Sequence, residues 1–141
     1  MSLPIELPYF ACPAGQVTAH PAGYAVLRYL PGKRQPTDLP ALLTELGRLL
    51  LSRGWNKFLA DNRAMTPLSG AEKAWFVEHW LGRQVARPAC LVSSLVLPHE
   101  VVARLSMLEM YALGARGSIT YATFTDLAAA EAYLLATHAG C

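Results

Sequence analysis

The densest group of chemically capable side chains is Asp61-Asn62-Arg63, with Thr66 and Ser69 close behind. An Asp beside an Arg is a minimal pairing for a general base with an electrostatic clamp. Such a pair needs a nucleophile, a metal set or a cofactor fingerprint, and the chain spells none of these. There is no G-x-S-x-G elbow, no G-x-x-x-x-G-K-[ST] loop and no G-x-G-x-x-G turn. The same residues also read structurally. Asp61 and Asn62 suit an Asx turn, Arg63 can pair with Asp61, and Ser69 can cap a helix. The expectation is therefore no catalytic residues and no cofactor. A weak Asp61/Arg63 activity is the least supported reading.

Metal chemistry is equally poorly supplied. His20, His79, His99 and His138 fall on different predicted elements, and His99-Glu100 lacks the second histidine of H-E-x-x-H because position 103 is Ala. No metal site is expected. Cys12, Cys90 and Cys141 form neither a C-x-x-C motif nor a disulfide framework. Cys90 falls in an apolar run and reads as a buried, inert thiol. Cys12 reads as a strand end, and Cys141 as a frayed terminus. This cysteine usage leads to the expectation of a reducing cytoplasm.

A second candidate surface is aromatic. Ala74, Trp75, Phe76 and Val77 are consecutive apolar positions, and Trp80 and Leu81 follow on the same helix. Four consecutive residues cannot share one helical face. Some of Trp75, Phe76 and Trp80 should therefore meet the chain's own Met1–Pro8, a partner subunit or an apolar ligand.

These groups need a scaffold, and periodicity supplies one. Pro-Gly punctuation around Pro8–Cys12, Gln16–His20 and Tyr24–Leu30 predicts an antiparallel hairpin or meander over about residues 8–30. Thr37-Asp38 then opens a helix carrying Leu39, Leu42, Leu43, Leu46, Leu49 and Leu50 at helical spacing, stopped by Gly54. Trp55–Ala60 reads as a strand. Ser69-Gly70-Ala71-Glu72 is a capping box, opening a helix expected to reach about Arg87. Ala89–Leu97 has the continuous apolar character of a strand buried on both faces. A helix with Val101, Val102, Leu105 and Leu108 follows, closed by Gly114. Ser118–Phe124 is the last strand, and Asp126 caps a last helix to about Thr137. Strands alternating with helices imply right-handed βαβ crossovers. The predicted fold is a single α/β domain over residues 1–141, with about four helices and a mixed sheet. Its α/β part covers about residues 37–137.

Three stretches carry a family resemblance. WNKFLADNRAMTPLSGAEKAWFVEHWLGRQ (Trp55–Gln84) has a strand ending in D-N-R-x-M, a polar turn and a W-x-x-x-W-L helix. ACLVSSLVLPHEVVARLSM (Ala89–Met107) and ITYATFTDLAAAEAYL (Ile119–Leu134) continue the same layout. Together they resemble the STAS-like (SpoIIAA-like) domains of small bacterial proteins, related to the CRAL-TRIO lipid-transfer fold, over roughly residues 16–137. The resemblance implies N-terminal antiparallel strands, α/β crossovers and no catalytic residues. It also implies regulation through a protein partner, or an apolar ligand held by the fold. Anti-sigma-factor antagonists carry D-S-S-G after this central strand, whereas this chain has Asp61-Asn62-Arg63-Ala64. The phosphoacceptor serine is absent, leaving Thr66 and Ser69 as the nearby hydroxyls.

Composition fits a compact domain. The chain has 141 residues, 53% of them hydrophobic and 16% charged, with a net charge of +2. Ordinary domains sit near 45–50% and about 25%. Basic residues outnumber acids between Arg28 and Arg63, but only mildly, so nucleic-acid binding is not expected. No apolar run approaches a membrane helix of about 20 residues, and Met1–Glu6 has no secretory-leader pattern. The sequence thus predicts a non-enzymatic interaction domain, working as a homodimer or with a protein partner. The alternative is a carrier of a small lipid-like ligand. Asp61, Asn62, Arg63, Met65, Trp75, Phe76 and Trp80 are the candidate contact residues.

Overall fold

The computed structural model describes residues 8–113 and 119–137. The predicted helix stop at Gly114, His138, Cys141 and residues 1–7 of the proposed N-terminal cover lie outside the described residues. The elements are β1 (Phe10–Cys12), β2 (Gly15–His20), β3 (Tyr24–Tyr29), α1 (Asp38–Arg53), β4 (Lys57–Asp61), α2 (Gly70–Trp75), β5 (Leu91–Val96), α3 (Val101–Leu113), β6 (Ile119–Phe124) and α4 (Leu127–Ala136). α2 runs on without a break as a π-helical turn, Phe76–Leu81. The architecture is the predicted α/β class: a six-stranded mixed sheet in the order β1-β2-β3-β4-β5-β6. β1, β2 and β3 are antiparallel, and β3 to β6 are parallel.

The sequential order dictates the layers. Each crossover from β3 to β6 steps in the same direction, and right-handed crossovers then place α1, α2 and α3 on one face. The core on that face joins Leu39, Leu42, Leu43, Leu46, Leu49 and Leu50 of α1 to Phe76, Trp80, Met107, Met110 and Tyr111. The sheet contributes Val17, Leu27, Phe58, Leu91 and Leu95 to the same core. The opposite face is covered by α4, whose Ala130 and Leu134 pack on Leu59, Val92 and Val96. β5 lies between both layers and is buried throughout, as its apolar run predicts.

α1 follows its leucine stripe, each buried leucine contributing about 1.5–3 kcal/mol. It ends where expected, at Gly54, whose φ of 67° is left-handed and lets its N–H reach the last carbonyls. Thr37 makes no side-chain cap; Asp38 instead accepts from the Gln35 amide at 2.7 Å.

Two expectations need correction. The helix after Ser69 stops at Leu81 rather than near Arg87, because its last turn widens and Arg83 takes a φ of 60°. Arg87 folds back from outside, donating to the Trp80 carbonyl at 2.8 Å and the Leu81 carbonyl at 3.2 Å, so it caps the helix instead of belonging to it. Cys90 precedes β5, is half-buried and is disulfide-bonded rather than a thiol packed inside the strand. That bond removes the premise on which a reducing compartment was expected. No helix among the described residues is long and apolar enough to cross a membrane.

Candidate functional site

The carboxyl end of β4 carries the predicted Asp61–Arg63 turn, at the end of the strands where open α/β sheets bind ligands. Asp61 closes β4. Its carboxylate accepts from Arg63 Nε at 2.9 Å, Arg63 Nη2 at 2.8 Å and the Arg63 amide at 3.3 Å. Arg28 of β3 stands 3.5 Å away. Burial alone would raise the Asp61 carboxyl. The Arg63 hydrogen bonds, with the charges of Arg63 and Arg28, outweigh it and hold the group below its usual range. A carboxylate held this way is a weak base. Asn62 is fully buried, donates its amide to the Val96 carbonyl at 3.1 Å and its Nδ2 to the Ala60 carbonyl at 3.1 Å. Met65 drops into the core. The D-N-R-x-M stretch is thus a turn held by its own hydrogen bonds and anchored by its methionine, with Asn62 Oδ1 buried and without a hydrogen-bond partner.

The hydroxyls near it are also engaged. Thr66 Oγ1 accepts from the Gly32 amide at 3.0 Å. Ser69 forms the predicted capping box, accepting from the Glu72 amide at 3.1 Å while the Ser69 amide donates to Glu72 Oε1 at 2.9 Å.

The aromatic cluster divides. Trp80 and Phe76 are core residues, not contact surface. Trp80 meets Phe58 edge-on at 6.3 Å, and Phe76 meets Tyr111 at 5.6 Å. The chain's own sheet and α3 supply the cover, because the helix is wedged between α1 and α3 and buries a broad face. Trp75 is half-buried, stacks on His79 at 5.3 Å and turns toward a groove.

That groove holds about 530 Å³ between the β3–α1 loop and the first turn of α2. Leu39, Pro36, Pro40, Leu68, Ala71 and Trp75 line its apolar part, and Lys33, Arg34 and Glu72 its charged part. Its two walls are pinned together. Arg34 forks onto Glu72 at 2.7 and 3.0 Å and donates to the Pro67 carbonyl at 2.8 Å. Arg34 Nη1 is buried without an acceptor. Burial would raise the Glu72 carboxyl, but the Arg34 fork, the Ser69 bonds and the Arg34 charge bring it below its usual range.

Arg34, Lys33 and Glu72 escaped sequence reasoning as a unit. The available signal was Lys33-Arg34 among Pro31, Pro36 and Pro40 at the carboxyl end of a predicted strand.

Behind the sheet, α4 shares its core with Tyr24 and Val26 of β3. A smaller polar hollow of about 270 Å³ there is lined by Thr18, His20, Arg28, Asp61 and Glu131 among others. Among the described residues no cluster of His, Cys, Asp and Glu could hold a metal ion. No family model, curated protein or solved structure matches the chain.

Proposed function

We propose that this chain is a non-enzymatic binding domain of STAS-like layout that holds a small apolar ligand with an anionic head in the groove beside Trp75. The carrying observation is the groove itself. Its volume of about 530 Å³ lies in the roughly 300–1,000 Å³ range of small-ligand sites. An apolar floor and a few placed charges are what such a ligand requires. Two cations, Lys33 and Arg34, stand against one anion, Glu72, so the charge left over suits an acidic head.

The D-N-R-x-M turn and the sheet layout support the STAS-like assignment. The engagement of Asp61 by Arg63 supports a binding role over a catalytic one, since no free base remains at that turn. A disulfide at Cys90 persists in an oxidising compartment, so the role is not tied to the cytoplasm.

Decanoate and decanol, titrated while amide shifts of Leu39, Ala71 and Trp75 are followed, test the reading. Saturable shifts are expected with decanoate, weaker ones with decanol, and none in Ala71→Trp, which fills the groove. Absence of saturable binding to the wild type, or unchanged binding in a folded Ala71→Trp, sinks it. Native mass spectrometry of protein from its own host identifies the natural occupant.

A further inference from the structure

The two edges of the sheet are built differently. β1 has three residues and is flanked by Pro8 and Pro13. Shortness and proline are devices that blunt an edge against pairing. β6 has six residues, Ile-Thr-Tyr-Ala-Thr-Phe, with no charge and no proline. It is the last strand of the sheet.

The direction of its backbone groups follows from one bond. The Phe124 carbonyl accepts from the Leu97 amide at 2.9 Å, so Phe124 turns inward to β5. Alternation then turns Thr120 and Ala122 inward, and Ile119, Tyr121 and Thr123 outward. Among the described residues these outward groups have no partner. An unblunted, uncharged edge of this length is a template for another strand.

We propose that β6 pairs antiparallel with β6 of a second copy, about a two-fold axis normal to the sheet, so that the sheet continues across a homodimer. A two-fold of this kind keeps each face of the sheet on its own side, so opposed residues must share a face. Ile119 and Tyr121 pack on the α1–α3 face and Phe124 on the α4 face, which excludes every register opposing Ile119 to Phe124. Setting Tyr121 against the partner subunit's Tyr121 satisfies this rule and uses every outward group. Tyr121 then exchanges N–H···O bonds with its mate, and Ile119 exchanges them with the partner subunit's Thr123.

Two features favour a second copy as the occupant. In a self-paired strand a charge at the two-fold position would face its own copy, and β6 carries no charge at any position. The helix above the edge is also prepared for the axis. Tyr111 of α3 packs on Tyr121 at 5.0 Å, which places α3 over β6. α3 exposes Val101 and Leu105, at 61% and 62%, one turn apart, with half-buried Leu108 continuing the stripe. Across the two-fold, the two α3 stripes lie on the same face of the joined sheet and cover each other. The ligand groove lies at β3 and β4, so the failure of either proposal leaves the other standing.

Sedimentation equilibrium combined with amide hydrogen exchange tests this. The wild type should have twice the 15.3 kDa chain mass. The outward amides of Ile119, Tyr121 and Thr123 should be protected like the inward ones. Thr123→Pro removes an outward N–H without touching the β5 ladder. Thr123→Lys adds the charge that natural edges use. Either variant, folded by circular dichroism, should weaken the dimer at least tenfold and expose those amides. A wild type that stays at 15.3 kDa at the highest soluble concentration overturns the proposal, as does a folded Thr123→Pro or Thr123→Lys that remains a dimer. So does a dimer whose outward β6 amides exchange freely.

Discussion

Arg34 and Glu72 form a two-pronged ion pair, Nε to Oε2 at 2.7 Å and Nη2 to Oε1 at 3.0 Å, with side chains only 4% and 15% exposed. Arg34 comes from the β3–α1 loop, and Glu72 is the third residue of α2. The same Glu72 carboxylate closes the capping box with Ser69. One carboxylate therefore starts a helix and joins both walls of the groove, so loop position and helix position are coupled.

Removing one partner of a shielded pair leaves the other charge buried, at about 3–5 kcal/mol. Arg34→Ala should lose stability of that order in urea denaturation. The double replacement Arg34→Met with Glu72→Met removes both charges and should recover much of the loss, apart from about 1 kcal/mol for the cap. A loss below about 1 kcal/mol for Arg34→Ala would mark the pair as an ordinary surface contact.

Acid should unfold the chain through Glu72 and Asp61 together. Both carboxyls titrate below their ordinary values of 4.5 and 3.8 in the folded chain. The unfolded chain therefore binds protons first as pH falls. The stabilisation is complete above the ordinary values and is lost as pH drops through the lower folded ones. Urea midpoints should be flat near neutrality and fall below about pH 4.5. Glu72→Gln should lower the neutral plateau and flatten this acid limb. An acid limb as steep in Glu72→Gln as in the wild type would exclude Glu72 as a contributor.

What could be read from sequence was what is local in period. The leucine stripe of α1, the Ser69–Glu72 box and the buried run of β5 each declare themselves within a few residues. The groove did not, because Arg34 and Glu72 are 38 positions apart and only the crossover brings them together. The aromatic helix misled for a related reason. Period shows which residues share a face, but not how wide a face the neighbouring α1 and α3 will bury. Among the described residues the exposed large apolar side chains are Val101, Val102 and Leu105 of α3 together with Tyr9, Leu51 and Leu135, and not Phe76 or Trp80.

The division of the aromatic helix has a direct test. Trp80 is fully buried against Phe58, with the Arg87 guanidinium 5.5 Å from its ring centre. Trp80→Ala should cost about 3–5 kcal/mol, the range for large aromatic truncations. Trp75→Ala removes a half-buried ring and should cost clearly less, while weakening decanoate binding. Equal losses of stability from the two, measured by urea denaturation, would contradict the burial pattern.

Gly47 provides a test where helix propensity and packing disagree in sign. It sits in the middle of α1, where replacing glycine by alanine ordinarily gains about 0.8–1 kcal/mol. A methyl group built on Gly47, however, would clash with the Ala86 carbonyl oxygen. That oxygen belongs to the backbone of the segment held by Arg87, which is itself bonded to the Trp80 and Leu81 carbonyls. The obstacle cannot rotate away as a side chain would, so α1 or the loop must move. Gly47→Ala should therefore destabilise by about 1–3 kcal/mol, the usual cost of overpacking. Loosening of the Arg87 cap should appear as faster amide exchange at Gly82 and Gln84, whose amides close the wide turn on Val77 and His79. A more stable Gly47→Ala would mean that propensity dominates and that the approach of α1 to Ala86 is not a fixed contact.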